Sequence, residues 1–310
     1  MYTADPSAHV FGGRIYVYPS HDVDIDAKLD PSGDHFQMVD YHVLSMDNLQ
    51  SPVIDHGCAL HIDDVPWASK QMWAPDAAER DGKYFFYFPA KDHDGIFRIG
   101  VATSTSPTGP FKAQPRPISG TYSIDPCAFV DDDGEAYLYF GGLWGGQLQC
   151  WQHGQYEADA KEPSGDRAAL GPRVARLQRD MLELEETPGE IIIEDETGAP
   201  LRADDTARRY FEGPWMHKYQ GTYYLSYSTG DTHYLAYATG NSPRGPFRYQ
   251  GRLLNPVVGW TTHHSIIEFG GKWYLFYHDS TLSGGITHKR CVKVMELHYD
   301  DSGRILTLDP

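Results

Sequence analysis

The 310-residue chain reads as an all-β protein, a five-bladed β-propeller, and three observations predict it. First, aromatic and turn-forming residues abound: 21 tyrosines, 13 phenylalanines and 7 tryptophans stand beside 31 glycines and 21 prolines, while long apolar runs at helical spacing are scarce. Second, a short apolar strand, a glycine turn and a strand of alternating aromatics recur five times. The turns and second strands read GRIYVYP from Gly13, GKYFFYF from Gly82, GEAYLYF from Gly134, GTYYLSY from Gly221 and GKWYLFY from Gly271. Alternation with a period of two is the mark of a strand. Third, two units share a further ending, ATSTSPTGPFK at 102–112 and ATGNSPRGPFR at 238–248, whose Ser-Pro and Gly-Pro steps turn the chain towards an outer strand.

A four-stranded unit of this kind cannot bury both faces alone, and radial stacking of five sheets about an axis solves that problem. Five blades of about 60 residues use the whole chain, 1–310, as a single domain. Only residues 152–209 break the rhythm. Their charged RVARLQRDMLELEETPGE and EDETGAP read as a long insertion holding one short helix or an extra hairpin. The segment from Asp22 resembles the start of a calcium loop, but its sixth position is Ala27 instead of glycine and its twelfth is Gly33 instead of glutamate. Asp131, Asp132 and Asp133 precede a turn glycine, where solvated aspartate is ordinary.

A formal charge of -17 repels polyanions, and no basic cluster offsets it, which argues against nucleic acid or anionic membranes as partners. No segment approaches the roughly 20 apolar residues of a membrane span, and MYTADPSAHV lacks the features of a secretory signal, so a soluble, cytoplasmic protein is expected. Cys58, Cys127, Cys150 and Cys291 are widely spaced without a C-x-x-C pair and read as free thiols.

In a propeller the first strand of each blade borders the axis, so equivalent positions converge. Counting back from the turn glycines by seven to nine residues gives Asp5, Trp73, Asp125, Glu212 and His264. A carboxylate opening an apolar strand is costly to desolvate unless it is paired or used, and three at matching places ask for a chemical role. A pair of carboxyl groups, one protonated and one ionised, is what cleavage of a glycosidic bond requires.

The motifs ADPSAHVF, QMWAPDAAERDGKYFFYF, SIDPCAFVDDDG, RRYFEGPWMHKYQGTYYLSYSTG and WTTHHSIIEFGGKWYLFYHDS resemble, in order and nearly end to end, glycoside hydrolase family 43, the five-bladed β-xylosidases and α-L-arabinofuranosidases. The resemblance implies Asp5 as the general base that activates water, Glu212 as the general acid, and Asp125 as an ionised neighbour that orients Glu212 and raises its pKa. It implies inversion, with Asp5 and Glu212 roughly 6.5 to 9.5 Å apart; the Asn-Asp-Pro-Asn type motif of the related fructan-cleaving propellers is absent. Trp73 resembles the wall that stacks on the terminal sugar, with blade packing as its alternative. Arg290 falls where the family hydrogen-bonds sugar hydroxyls and the adjacent carboxylates, with a surface salt bridge as its alternative.

By the same resemblance His264 binds a Ca²⁺ ion in the channel with waters completing the shell, a weak site because Ca²⁺ prefers oxygen; His263 packs nearby. YPSHD and GDHFQMVDYHV resemble a single-domain subgroup of β-xylosidases with arabinofuranosidase side activity, without a C-terminal β-sandwich. Closure of the pocket then falls to the 152–209 insertion or to a second copy in a homo-oligomer. The expected activity is inverting exo-hydrolysis of small oligosaccharides, releasing terminal β-D-xylose or α-L-arabinofuranose. The alternatives are an endo-acting arabinanase or galactan-directed hydrolase and a non-catalytic sugar-binding propeller.

Overall fold

At Gly13, Gly82, Gly134, Gly221 and Gly271 the backbone takes φ between 74° and 84°, a left-handed conformation that side chains resist, and each turn closes an antiparallel hairpin. The protein is described here from a computed structural model, for residues 1–30, 32–152, 154–260 and 262–310. The five hairpins are the inner two strands of five sheets. Blade I comprises Tyr2–Phe11, Arg14–Asp22, Asp40–Met46 and Ile54–His61; blade II is built from Asp76–Arg80, Lys83–Asp92, Phe97–Ser104 and Lys112–Ala113. Blade III comprises Cys127–Val130, Ala136–Phe140, Arg173–Arg176 and Gly189–Glu190. Blade IV runs Glu212–Tyr219, Thr222–Ser228, Leu235–Gly240 and Phe247–Leu254, and blade V runs His264–Phe269, Lys272–Asp279 and Cys291–Leu297. The innermost strand of each blade lies beside those of both neighbours, and blade V meets blade I to close the ring.

The alternating aromatics serve both faces of a blade. Along Lys83–Asp92, Phe86 and Phe88 pack towards blade I with Tyr18 and Tyr41, whereas Phe85 and Tyr87 pack towards blade III with Leu138 and Phe140. The repeated Ser-Pro and Gly-Pro endings are docking elements. Tyr18 of blade I donates its hydroxyl to Pro107 O at 2.7 Å, and Tyr139 of blade III does the same to Pro243 O at 2.7 Å. Phe111 N and Phe247 N then bond to Ala59 O and Ile192 O, on the segments bordering the preceding blades.

Residues 152–209 are more than an insertion. They include Arg173–Arg176 and Gly189–Glu190, the two outer strands of blade III, and Ile193–Glu194, which pairs in parallel with the last strand of blade IV. The charged sequence hid them because these strands are two to four residues long, and Arg173–Arg176 carries only two apolar residues between its arginines. The extra hairpin exists as Trp151–Gln152 with Gln155–Tyr156, and among the described residues the only helices are four three-residue 3₁₀ turns. None is long and apolar enough to cross a membrane. Asp131 is not a solvated turn residue: it is buried and accepts hydrogen bonds from Lys218 at 2.8 Å and from the Tyr223 hydroxyl, tying blade III to blade IV. All four cysteines are free thiols, with Cys58 exposed and Cys127 and Cys150 buried.

Phe86 is fully buried between blades I and II. Phe86→Ala is expected to cost roughly 3–5 kcal/mol of stability, through lost transfer energy and the cavity left behind, measured as a lowered urea midpoint.

Candidate active site

Asp5 and Asp125 both precede proline and both hold left-handed backbone, with φ of 47° and 58°. Aspartate tolerates that region better than most residues, and proline lacks the N–H that would continue the ladder. In blade I the strand pairing slips between Ala4 and Ser7, and in blade IV between Glu212 and Trp215 around Gly213-Pro214. Such bulges re-aim side chains, and here they turn carboxylates out of the sheet.

Asp5, Asp125, Glu212, Trp73 and Arg290 line one cavity of about 750 Å³. The chain therefore brings together every predicted site residue except His264. The surrounding walls are loops: Leu29, Asp30, Gly33, His35, Phe36 and Met38 between the second and third strands of blade I, Leu143 to Gly146 of blade III, and Val258 to Trp260 before blade V. Among the described residues of 152–209 none lines the cavity; the segment acts from behind, Glu162 accepting a hydrogen bond from the Trp144 indole at 3.1 Å. Trp73 is fixed in the wall, donating to Phe36 O at 3.0 Å and standing edge-on to the Phe36 ring. A Cβ at Gly33 would lie 2.6 Å from the Trp73 ring, so only glycine, at φ +78°, fits there.

Arg290 is buried, which removes the surface-bridge alternative. Its Nε and Nη2 donate to the two oxygens of Asp22 at 2.8 and 2.7 Å, and its Nη1 donates to Asp5 Oδ1 at 3.0 Å. Ser20 donates to Asp5 Oδ2 at 2.6 Å, and the Asp5 amide donates to His278 Nδ1 at 2.9 Å. Burial by itself would raise the Asp5 pKa, but Arg290, His278, His263 and the Ser20 hydroxyl override it and hold Asp5 at about 2. Burial, then Arg290, lowers His278 to about 4, so its ring is neutral near pH 7.

Asp125 differs from the expected ionised partner. Burial, then the charges of Glu212 and Asp5, push its pKa well above the carboxylate range, against the pull of the Gly213 N–H that it accepts at 2.9 Å. Burial and repulsion from the partly buried Glu212 thus favour the protonated form of Asp125. The Gly213 hydrogen bond ties Asp125 to the residue that follows Glu212. Asp22, Ser20 and His278 escaped the sequence reading. A signal was present, because His-Asp ends the second strand in both blade I (His21-Asp22) and blade V (His278-Asp279).

His264 lies outside the cavity lining, fully buried, its Nε2 2.6 Å from Ser226 Oγ and its Nδ1 without a hydrogen-bond partner. Burial, then the neighbouring histidines, keeps it neutral. A neutral imidazole with one unpartnered nitrogen fits a single-nitrogen ligand to an ion otherwise held by water. His263, by contrast, lines the cavity, with Nδ1 3.8 Å from Asp125 Oδ2.

A propeller that presents three carboxyl groups and a fixed guanidinium to one sugar-sized pocket is built as a glycoside hydrolase. The model of glycosyl hydrolases family 43 matches residues 59–305, and the chain belongs to that family. It is 61% identical to xylosidase/arabinosidase 43A of Humicola insolens, covering 100% of this chain and 98% of the relative. It is 53% identical to a β-xylosidase of Xylanibacter ruminicola, over 99% of this chain and 97% of that protein. Among solved structures it superposes at a TM-score of 0.98, with 61% identity, on a family 43 β-xylosidase/α-arabinofuranosidase from a compost microbial metagenome, bound to xylotriose in a calcium-free form. That match covers 100% of this chain and 95% of the other. A xylose complex of the Xanthomonas citri family 43 enzyme matches at 0.96 and 60% identity, over 100% and 91%.

Because Asp5 titrates at about 2 in the fold against an ordinary 3.8, its ionisation contributes stability that is fully present above pH 4 and lost as pH falls through 2. The unfolding free-energy difference between the parent and Asp5→Asn, measured in urea, is expected to shift against the parent by about 2 kcal/mol between pH 6 and pH 2.

Proposed function

We propose that this chain is an inverting exo-glycosidase that releases terminal β-D-xylose, and α-L-arabinofuranose, from short xylan-derived oligosaccharides. The observation that carries the reading is the convergence of Asp5, Asp125, Glu212 and Arg290 on one pocket. Relatives that share more than half of its residues support it, being named for xylosidase and arabinosidase activity and solved with xylose or xylotriose.

In this reading the terminal sugar enters against Trp73, whose ring covers the C–H face, while Arg290 meets its hydroxyls without releasing Asp22. Glu212 protonates the departing oxygen, and the repulsion between its charge and that of Asp125 works against ionisation of the pair. Asp5 is ionised at every working pH and accepts a proton from the attacking water. A carboxylate held at about 2 is a weak base. The oxocarbenium-like transition state compensates, since its positive charge draws the water in and little proton transfer is needed early. Calcium held by His264 would add positive charge near the acids and favour their ionised forms.

Glu212→Ala is expected to lower kcat on xylobiose at least roughly 100-fold, and less on an aryl β-xyloside whose phenol leaves without a proton. Equal losses on both substrates, or parent rates on both, would remove the acid role from Glu212. Proton NMR of the first product from a β-xyloside should show α-xylose. β-Xylose would mean retention, and would recast Asp5 as a nucleophile.

A further inference from the structure

The loop between the second and third strands of blade I supplies Leu29, Asp30, Gly33, His35, Phe36 and Met38 to the pocket wall. Its two ends meet where the flanking strands pair in the sheet of blade I. His21, the penultimate residue of the strand that enters the loop, and Asp40, the first residue of the strand that leaves it, are 2.7 Å apart through Nδ1 and Oδ1. Two residues on, and so on the same face, His42 places Nε2 3.5 Å from Asp40 Oδ2, and the two imidazole rings lie 5.0 Å apart. The other nitrogen of His42, Nδ1, is 2.9 Å from Asp55 Oδ1 on the adjoining strand. One ligand atom from each of His21, Asp40 and His42 falls within 4.8 Å of the others, the only such trio among the described residues. All three side chains remain partly open to solvent.

We infer that His21, Asp40 and His42 bind a zinc-type transition-metal ion that clamps the base of the pocket loop, with Asp55 orienting His42. Two imidazoles and a carboxylate form a donor set suited to Zn²⁺ and its neighbours and poorly matched to Ca²⁺ or Mg²⁺, which select oxygen. Bonds of about 2.0–2.1 Å in a tetrahedron set ligand atoms roughly 3.3 Å apart. His42 Nε2 stands 3.5 Å from Asp40 Oδ2 and His21 Nδ1 2.7 Å from Asp40 Oδ1, so the carboxylate has to turn one oxygen between the two rings while the His21–Asp40 hydrogen bond opens by about 0.6 Å. Solvent supplies the remaining position. A carboxylate on the far nitrogen of a ligating histidine, as Asp55 is on His42, is the usual means of fixing its tautomer and ring plane. The ion would join the strand before the loop to the strand after it, and would stand one residue from Asp22, the anchor of Arg290.

The test uses the full chain stripped of metal and titrated with ZnCl₂ by calorimetry, against a competing chelator. One Zn²⁺ per chain is expected, with at least about 100-fold weaker binding in His21→Ala/His42→Ala and about 10-fold weaker binding in Asp55→Asn, which touches a ligand and not the ion. His264→Gln should keep the Zn²⁺, and excess Ca²⁺ should not displace it. Zn²⁺ should also slow hydrogen exchange across residues 23–39 in the parent and not in the double variant. Equal binding by the parent and either the double variant or Asp55→Asn would overturn the assignment, as would loss of Zn²⁺ in His264→Gln. Exchange in 23–39 that is indifferent to Zn²⁺ would overturn the clamp.

Discussion

One buried guanidinium, that of Arg290, is the interaction on which the site depends. It stands between Asp22 and Asp5, all three buried, and makes three hydrogen bonds to their carboxylates. Burying an ion pair is costly, and removing one partner of such a pair typically costs about 3–5 kcal/mol because the other charge is stranded. Arg290 therefore has to remain, and it joins blade V, where its chain enters the outer strand, to the first two strands of blade I. The Arg290 carbonyl accepts from Thr3 N at 2.9 Å and repeats the link in the backbone. Ring closure and charge compensation are the same contact.

The charge balance around that contact explains the acids. Asp5, Asp22, Asp125 and Glu212 gather near one permanent cation, since burial keeps His278, His263 and His264 from adding protons. Asp22 and Asp5 take the guanidinium, and Asp5 falls to about 2. Arg290 also pulls on Asp125, but less than burial and the charges of Glu212 and Asp5 push, so Asp125 rises. Asp5 and Asp125 thus differ because one cation is divided unequally among four carboxyls, although all are buried or nearly so.

The propeller supplies the rigidity that this balance needs. Aromatic side chains on both faces of each blade fill the wedges between sheets, and the tyrosine-to-carbonyl bonds at Pro107 and Pro243 lock neighbours at the rim. Loops are then free to differ. The pocket walls come from loops of blades I and III and from the segment before blade V, with Trp144 and Trp260 exposed and 6.1 Å apart at the mouth.

The repeat made much of this legible in the linear chain. Glycine turns followed by period-two aromatics marked five hairpins, and counting back from them located Asp5, Trp73, Asp125 and Glu212, because a propeller gives equivalent positions equivalent places. The outer strands of blade III were hidden, being two to four residues long and paired by backbone groups common to every sequence. Asp22 and His278 were hidden too, at the far ends of second strands, where no apolar context sets a polar residue apart. The architecture and the meeting of Asp5, Asp125 and Glu212 were readable in the linear chain, because burial patterns and turn chemistry are local and repeat. How charge is divided among the acids and which loops wall the pocket emerged only in the folded chain. A pKa depends on the through-space division of charge around Arg290, and a wall depends on loops that obey no period.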